Sequence, residues 1–261
     1  MLVPTLRAHV SDRDDNGDWT PGMPSPPLSH ADVHIVLFPI DAGHDDAGLE
    51  WLDDDERARA ARFIRSEDAR RFVAAHAMVR VVLGRCLDVA PTAVRFTVDT
   101  YGKPVLCEAE SGIRFNLSHS GDRALLAIAT RREIGVDIER ERDIEVLDLA
   151  TRFFAPGECR SLSALPVDHR LSAFYRCWTR KESFIKACGH GLSFPLNGFE
   201  VGLADESELV ACPAAPSELQ RWTMASLPVE KGYAAAVTVE GREWRPILWK
   251  SAPFGIRAWP R

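Results

Sequence analysis

The chain is 261 residues long, with 46 % hydrophobic, 27 % charged and 8 % aromatic residues. This composition is typical of a folded globular protein and excludes collagen, a coiled coil and disorder throughout. The 38 acidic residues outnumber the 32 basic ones and give a net charge of −6, so no global positive field favours nucleic acid or an anionic membrane as a partner.

The six cysteines form neither a CxxC pair nor a zinc-type Cys/His pattern. We interpret them as reduced thiols of a cytoplasmic protein. The sequence has no signal-peptide pattern and no apolar run long enough to span a bilayer, so we expect neither secretion nor membrane insertion.

The first half of the chain predicts an arm, a strand, two helices and three further strands. Residues 1–30 are rich in Asp, Gly, Ser and Pro without an apolar period, and predict a flexible arm. A buried strand is expected from His34 to Phe38, and the acidic start at 53–56 predicts a helix that leads into the Arg-rich segment 57–65. Helical spacing and alternation predict the remaining elements: a helix at about 67–87, and strands at 93–98, 113–117 and 123–129.

The second half repeats this order of elements. Its predicted elements are a strand at 134–139, short helices at 144–163, a long helix at 168–188, and strands at 197–203, 219–226 and 232–240. We therefore expect an α+β fold made of two similar lobes, with a site between them. The predicted divisions are the arm at 1–30, an N-terminal lobe at 31–133, and a C-terminal lobe with its tail at 134–261. The tail carries Trp244, Trp249 and Trp259, and we expect it to pack across the lobes.

Two carboxylates alternate with apolar residues on the predicted strand 134–139. Asp137 and Glu139 project from one face of it, about two strand rises apart. Carboxylate oxygens at this spacing are half of a site for a hard cation such as Mg²⁺. A solvated strand edge with alternating acids explains the same pattern.

Three side chains of the predicted helix 168–188 lie along one face. Trp178, Glu182 and Lys186 follow each other at intervals of four residues, which puts a carboxylate between an aromatic ring and a cation. This face either meets the other lobe or forms a surface Glu–Lys pair beside a half-buried tryptophan.

A histidine stands between hydroxyl groups where the strand at 113–117 ends. Ser118, His119, Ser120 and Gly121 are consecutive, and the chain lacks a G-x-S-x-G motif that would indicate a catalytic triad. The arrangement is suited to a phosphate oxygen, or it is a hydrogen-bonded turn.

An arginine cluster covers residues 57–71 of this acidic protein. Arginine binds phosphate through paired hydrogen bonds, although a solvated face paired with nearby acids explains each arginine equally well. The cluster consists of Arg57, Arg59, Arg62, Arg65, Arg70 and Arg71.

The order of these motifs resembles that of the 4′-phosphopantetheinyl transferase family, in its long form with two lobes in one chain, of the kind that serves nonribosomal peptide and polyketide synthases. The likeness spans about residues 50–240. The motifs that carry it are Tyr101-Gly102-Lys103-Pro104, Phe115-Asn116-Leu117-Ser118-His119-Ser120, Gly135-Val136-Asp137-Ile138-Glu139, Phe153-Phe154 with Glu158, Trp178-x-x-Lys181-Glu182-Ser183-Phe184-Ile185-Lys186 and Gly189-x-Gly191-Leu192.

The resemblance implies a pseudo-twofold α+β fold that binds coenzyme A between its lobes, with Mg²⁺ on the pyrophosphate. It implies the activity of a holo-[acyl-carrier-protein] synthase, which transfers the phosphopantetheine arm to a serine of an acyl or peptidyl carrier protein and releases adenosine 3′,5′-bisphosphate. The metal carboxylates would be Asp137, Glu139 and Glu182. Glu182 would also be the base, and Lys186 would steady the transferred or departing phosphate.

The resemblance also implies the residues that bind coenzyme A. Ser118 and His119 would contact the phosphates, Lys103 and Pro104 would lie near the nucleotide, and Arg71 matches a basic position beside it. The chain departs from the family just ahead of the second helix: where the family often has lysines for the 3′-phosphate, this chain has Glu56. We therefore leave the contact with the 3′-phosphate open among Arg59, Arg62 and Arg65.

Carrier proteins expose an acidic, partly apolar helix, so we expect them to dock on an apolar patch with nearby arginines, around residues 140–160. A monomer is expected, because one chain already holds both lobes. The alternatives are a coenzyme A-binding regulatory module without turnover and a scaffold that binds carriers.

Overall fold

The computed structural model describes residues 19–40, 48–189, 194–203 and 209–252. The described elements of the first half, in chain order, are β1 (Thr20–Pro21), β2 (Asp32–Pro39), α1 (Asp54–Ala60), α2 (Ser66–Leu87), β3 (Phe96–Val98), β4 (Pro104–Leu106), β5 (Ile113–Ser120) and β6 (Arg123–Thr130). Those of the second half are β7 (Ile134–Arg140), α3 (Val146–Phe153), α4 (Pro156–Ala164), α5 (Val167–Cys188), β8 (Glu200–Val201), β9 (Leu209–Ala211), α6 (Glu218–Arg221), β10 (Trp222–Ser226), β11 (Tyr233–Glu240) and β12 (Arg245–Lys250).

Two sheets organise the described chain. The first has five strands in the order β1-β12-β2-β6-β5, and the second has three in the order β10-β11-β7. β12 runs parallel to β2, while β2, β6 and β5 are antiparallel neighbours. The α+β fold class is therefore confirmed, and the predicted division near residue 133 falls between β6 and β7, where the chain passes from one sheet to the other.

Strand alternation sends the two faces of the first sheet to different partners. Val36 and Phe38 of β2 pack under α2, in a core that also contains Leu126 and Ile128 of β6. The side chains one position away pack instead against the apolar face of the second sheet. That inter-sheet core contains Val33, Ile35, Leu37, Leu125, Ala127, Ile134, Val136, Ile138 and Val237.

The long helix α5 covers the other face of the second sheet. It packs on β7 and β11, and with α3 and α4 it encloses a core in which Phe154, Phe174 and Phe184 are buried. Gly135 on β7 allows this packing, because a Cβ there would overlap Ser183 O and Ala187 N of α5. The missing side chain thus brings α5 directly onto the strand that carries Asp137.

The main departures from the sequence-based expectations lie in short elements and at the ends. Residues 19–30 of the predicted arm contact the rest of the chain, since Trp19 donates to Pro228 O at 2.6 Å and Met23 and Leu28 pack on the first core. Residues 1–18 lie outside the described residues. The segments predicted as strands at 93–98, 197–203 and 219–226 are strands only at Phe96–Val98, Glu200–Val201 and Trp222–Ser226.

The tail contributes an element that alternation did not reveal. β12 pairs with β2, so this part of the predicted C-terminal lobe lies in the first sheet. Trp244 is buried in the inter-sheet core and Trp249 packs on the first core, as expected for a tail that crosses the lobes, whereas Trp259 lies outside the described residues. No helix of the described ranges is both long and apolar enough to traverse a lipid bilayer.

Candidate active site

β7 and α5 place four charged side chains together. Asp137 and Glu139 point to the α5 side of β7, as alternation predicts, while their neighbours Val136 and Ile138 are buried in the inter-sheet core. Asp137 is buried, whereas Glu139, Glu182 and Lys186 are half-buried. The structure thus joins the carboxylates of one predicted motif to the helix face of another.

Asp137 is the centre of this group. Its Oδ1 accepts hydrogen bonds from Lys186 Nζ at 2.6 Å and from Ser118 Oγ at 2.8 Å. Lys186 Nζ also donates to Ser118 Oγ at 2.9 Å. The ammonium group of Lys186 therefore binds a carboxylate of the opposite element, which the predicted surface pair with Glu182 did not anticipate.

Both glutamates have a raised pKa. Burial, and then the charge of Asp137, raises the pKa of Glu182, and Lys186 opposes the shift. Burial also raises the pKa of Glu139, against a hydrogen bond that Ser120 Oγ donates to its Oε2 at 2.7 Å. The anionic form of both carboxylates is thus destabilised, and a nearby cation would stabilise that form.

A seam of side chains, formed by Asn116, Ser118 and Ser120 of β5, joins β5 to β7. These two strands are the edges of their sheets, and here side chains replace the backbone ladder. Asn116 Oδ1 accepts from Val136 N at 2.8 Å, Ser118 Oγ from Ile138 N at 3.4 Å, and Ser120 Oγ from Arg140 N at 3.1 Å. The seam therefore fixes the carboxylate strand against the first lobe.

A cleft of about 910 Å³ opens between the lobes beside these residues. One wall comes from the α1–α2 turn and α2, including Phe63, Arg65 and Arg71. The other comes from the ends of β5 and β7, including His119 and Glu139. The position between lobes agrees with the expectation from the sequence.

His119 lies on the cleft wall among cations. Removal from bulk water, and then the charges of His76 and Lys186, lowers the pKa of His119, so its ring is neutral at pH 7. A neutral imidazole in this place can donate one hydrogen bond to an anionic group.

The predicted arginines lie in different places around the cleft. Arg71 and Arg65 line it, and Arg71 Nε is buried without a hydrogen-bond partner. Arg59 stacks over Phe72, a cleft residue, at 5.1 Å. Arg62 lies exposed on the α1–α2 turn.

Lys103 and Pro104 lie near the opposite end of β7 from Glu139. Lys103 Nζ donates to Ile134 O at 3.0 Å, and Glu133 Oε2 lies 3.5 Å away. Burial lowers the pKa of Lys103 despite the opposing charge of Glu133. Pro104 is exposed at the start of β4. These two residues are thus not part of the cleft lining that contains His119 and Glu139.

Trp178 supports the helix rather than the carboxylates. Its ring packs edge-on to Phe153 at 5.6 Å and stacks with Phe174 at 5.8 Å, in the core between α3 and α5. Of the three side chains predicted on one helix face, Glu182 and Lys186 are therefore the two that belong to the site.

Sequence reasoning missed a buried ion pair next to the site. Lys181, which is fully buried, donates to Leu196 O, Phe199 O and Glu158 Oε1 at 2.6–2.8 Å. Glu158 also accepts from Val201 N at 2.8 Å, so the pair ties α4 and α5 to β8. Lys181 and Glu158 both occur in the motifs that carry the family resemblance, so the sequence contained a sign of the pair. The spacing of Lys181 along the helix did not distinguish it from a surface lysine.

The donor chemistry of the carboxylates fits a hard divalent cation. Asp137 Oδ2 is buried without a hydrogen-bond partner, and the pKa values of Glu139 and Glu182 are raised in part by neighbouring negative charge. A cation would compensate all three. The residues that the structure describes nonetheless contain no group of three His, Cys, Asp or Glu side chains already arranged to hold a metal ion.

A cleft with four arginines in its lining, and with carboxylates and a lysine beside it, is suited to a phosphate-bearing ligand together with a divalent cation. Comparison with known proteins agrees with this class of site. Residues 133–238 match the 4′-phosphopantetheinyl transferase superfamily, and residues 44–131 match the N-terminal region of 4′-phosphopantetheinyl transferases.

Named relatives cover most of the chain. The 4′-phosphopantetheinyl transferase HetI of Nostoc sp. is 37 % identical over 239 residues, which are 88 % of this chain and 97 % of the relative. The 4′-phosphopantetheinyl transferase Sfp of Bacillus subtilis is 32 % identical over 200 residues, which are 76 % of this chain and 87 % of Sfp. The chain belongs to the 4′-phosphopantetheinyl transferase family.

Proposed function

We propose that this protein transfers the 4′-phosphopantetheine arm of coenzyme A to a serine of an apo carrier protein, as a holo-[acyl-carrier-protein] synthase does. Carrier domains of nonribosomal peptide or polyketide synthases are the proposed acceptors. The observation that carries the proposal is the convergence of Asp137, Glu139, Glu182 and Lys186 beside an arginine-lined cleft, in a chain of this family.

The reaction requires a base at the carrier serine. A serine hydroxyl is too weak a nucleophile to attack unaided. Burial raises the pKa of Glu182, which makes its carboxylate a stronger proton acceptor than an exposed glutamate. The serine oxygen forms a bond to the β-phosphorus, and the bond from that phosphorus to the bridging oxygen of the pyrophosphate breaks. The hydroxyl proton passes to Glu182, and adenosine 3′,5′-bisphosphate leaves.

Charge neutralisation is the second requirement, because phosphoryl transfer depends mainly on positioning and electrostatics. Lys186 supplies a cation that can steady the transferred or departing phosphate. Asp137, Glu139 and Glu182 would hold Mg²⁺, which when bound neutralises the pyrophosphate oxygens. The unpartnered buried oxygen of Asp137 supports this assignment.

Coenzyme A binding is proposed for the residues around the cleft. Ser118 and His119 would contact the phosphates and Arg71 the nucleotide, while Lys103 and Pro104 would contact the nucleotide from the far end of β7. The contact with the 3′-phosphate is proposed for one or more of Arg59, Arg62 and Arg65. Alanine at all three should weaken coenzyme A binding while leaving binding of the 3′-dephospho form unchanged, and equal losses for both ligands would contradict the assignment.

The carrier is proposed to dock on the C-terminal lobe around residues 140–160. Arg140, Arg142 and Arg152 are exposed there, and Leu147 is an exposed apolar residue on α3. Acidic carrier helices complement such a surface. Charge reversal at the three arginines should raise the KM for the carrier, and an unchanged KM would exclude this surface.

We also propose that the protein is a cytoplasmic monomer. All six cysteines are free thiols, which fits a reducing, cytoplasmic location. Both lobes that build the cleft come from one chain, which fits a monomer. Size-exclusion chromatography with light scattering tests the second point.

The test of the reaction is to incubate the protein with coenzyme A, Mg²⁺ and an apo carrier and to follow the carrier by intact-mass spectrometry. We expect a gain of one phosphopantetheine arm, which EDTA abolishes and Glu182→Gln reduces at least about 100-fold. Coenzyme A binding without transfer to several carriers would overturn the proposal in favour of a regulatory module. Tight carrier binding in EDTA without coenzyme A would favour a scaffold.

A further inference from the structure

The turn between α1 and α2 carries two exposed apolar side chains, Phe63 and Ile64, which we call the apolar tip. Ile64 is fully exposed, with 102 % relative accessibility, and Phe63 is 39 % exposed. Single exposed apolar side chains are common on protein surfaces, so exposure alone does not mark a contact. What distinguishes this pair is its position, since Phe63 lines the cleft and Ile64 follows it directly.

The apolar tip stands at the mouth of the cleft. Phe63 lines the cleft and contacts Phe72 with its ring at 5.4 Å, so the base of the tip is anchored on a cleft residue. Ile64 extends from this anchored position into solvent. Arg140 and Arg142 lie on the facing wall. The base of the tip and these two arginines thus line the same cleft from opposite walls.

Two arginines flank the tip, since Arg62 and Arg65, on either side of it, are exposed. Acids are also close, but they have cationic partners. Asp54 pairs with Arg57 and Glu56 accepts from the buried Arg80, while Glu67 and Asp68 of α2 pair with Arg71. An apolar pair between two arginines complements an acidic helix that presents an aliphatic side chain.

We infer that the apolar tip is a docking contact for the acidic carrier domain, on the opposite lobe from the surface at residues 140–160. The inference rests on the proposed function and extends it: the carrier bridges both lobes, and its serine enters the cleft between the two contacts. Ile64 contributes contact area, and the neighbouring arginine that does not hold the 3′-phosphate contributes attraction to the acidic helix. Such a contact lowers the KM for the carrier without touching the reacting groups.

Ile64 allows a clean test because it has no packing role to lose. Ile64→Glu places a negative charge against the acidic carrier, whereas Ile64→Lys removes the aliphatic contact but keeps the attraction. Val167→Glu is the matched control, since Val167 is 76 % exposed at the start of α5. It lies fifteen residues before Glu182, about 22 Å along the helix.

We expect Ile64→Glu to raise the KM for an apo carrier about tenfold, an effect that shrinks as salt is added. Ile64→Lys should raise it less than about threefold, and Val167→Glu should leave it unchanged. In all three variants kcat, the KM for coenzyme A and the melting temperature should match the wild type. Fluorescence anisotropy of a labelled apo carrier, which requires no turnover, should show the same ranking of affinities.

Three results would overturn the inference: an unchanged carrier KM and affinity in Ile64→Glu, a rise in the KM for coenzyme A instead, or a change of oligomeric state. The second would assign the tip to the nucleotide and the third to a second copy of the chain. A wild-type protein that transfers nothing would refute the proposed function, and the anisotropy measurement would then still decide whether the tip binds the carrier.

Discussion

Ser120 makes two hydrogen bonds, one to a site carboxylate and one across the seam. Comparing its alanine variant with a variant of another seam residue therefore distinguishes the role of Ser120 in the candidate active site from its role in the seam. Its hydroxyl donates to Glu139 and accepts from Arg140 N across the junction of the lobes. Asn116 performs only the second task, since its side chain accepts from Val136 N and contacts none of the site carboxylates. Asn116→Ala is therefore a matched control for Ser120→Ala.

The two variants should lose similar stability. A net hydrogen bond contributes about 1 kcal/mol, and one to a charged group contributes about 1.5–3 kcal/mol. Ser120→Ala should thus reduce the free energy of unfolding by about 2.5–4 kcal/mol. Asn116→Ala leaves the N–H of the fully buried Val136 without a partner, which costs about 1–3 kcal/mol. Urea unfolding measures both values.

The variants should differ in their need for the cation. Residues that orient a metal ligand typically affect metal affinity by about 10- to 100-fold when they are removed. Ser120→Ala should therefore raise the Mg²⁺ concentration for half-maximal transfer by about tenfold, and weaken Mn²⁺ binding measured by paramagnetic resonance in the presence of coenzyme A. Asn116→Ala should change neither quantity, and Ser120→Thr, which keeps the hydroxyl, should restore both.

An equal cation requirement in Ser120→Ala and Asn116→Ala would refute this reasoning. It would mean that the seam acts only by holding the lobes together, and that Glu139 finds its position without Ser120. A loss of stability in Ser120→Ala with normal Mn²⁺ binding would lead to the same conclusion.

Three further predictions concern residues that support the site. Lys181→Ala should destabilise the protein by about 3–5 kcal/mol in urea unfolding, because it leaves Glu158 as a buried unpaired charge; a loss below 1 kcal/mol would contradict the buried pair. Burial alone would raise the pKa of Glu56, but hydrogen bonds from His76 and Arg80 lower it. The ionised Glu56 therefore stabilises the fold at neutral pH, and this stabilisation is lost as the pH falls through the lowered pKa. Glu56→Gln should therefore be less stable than the wild type at pH 7, with a difference that narrows toward pH 3. Gly135→Ala should abolish transfer in the mass-spectrometric assay even where circular dichroism shows folded protein, because the added Cβ pushes α5 away from β7.

Strictly alternating segments were the most predictable parts of the fold. Ile134, Val136 and Ile138 are buried on one face of β7, and Asp137 lies on the other, as the period of two requires. The long helix α5 was equally clear from its length and apolar spacing. Short strands such as β8 and β9 were not predictable in this way, since two or three residues are too few to establish a period.

The neighbours Lys181 and Glu182 show how far the site could be predicted from the sequence. Both are charged and adjacent on one helix, yet Lys181 is fully buried against Glu158 and Glu182 is half-buried beside Asp137. Helical geometry separates adjacent residues by about 100°, but which direction faces the core depends on elements distant in sequence. The seam was hidden for the same reason, because Ser120 and Arg140 meet only when two sheet edges come together.

The position of β12 determines when the first sheet can be completed during folding. β2 begins at residue 32, and its parallel neighbour ends at residue 250. Such a pairing closes a loop of more than two hundred residues, so it cannot form until residues 245–250 have left the ribosome. Until then the β12-facing edge of β2 stays unpaired, and a ribosome-stalled chain that ends before residue 245 should remain sensitive to protease in the first sheet.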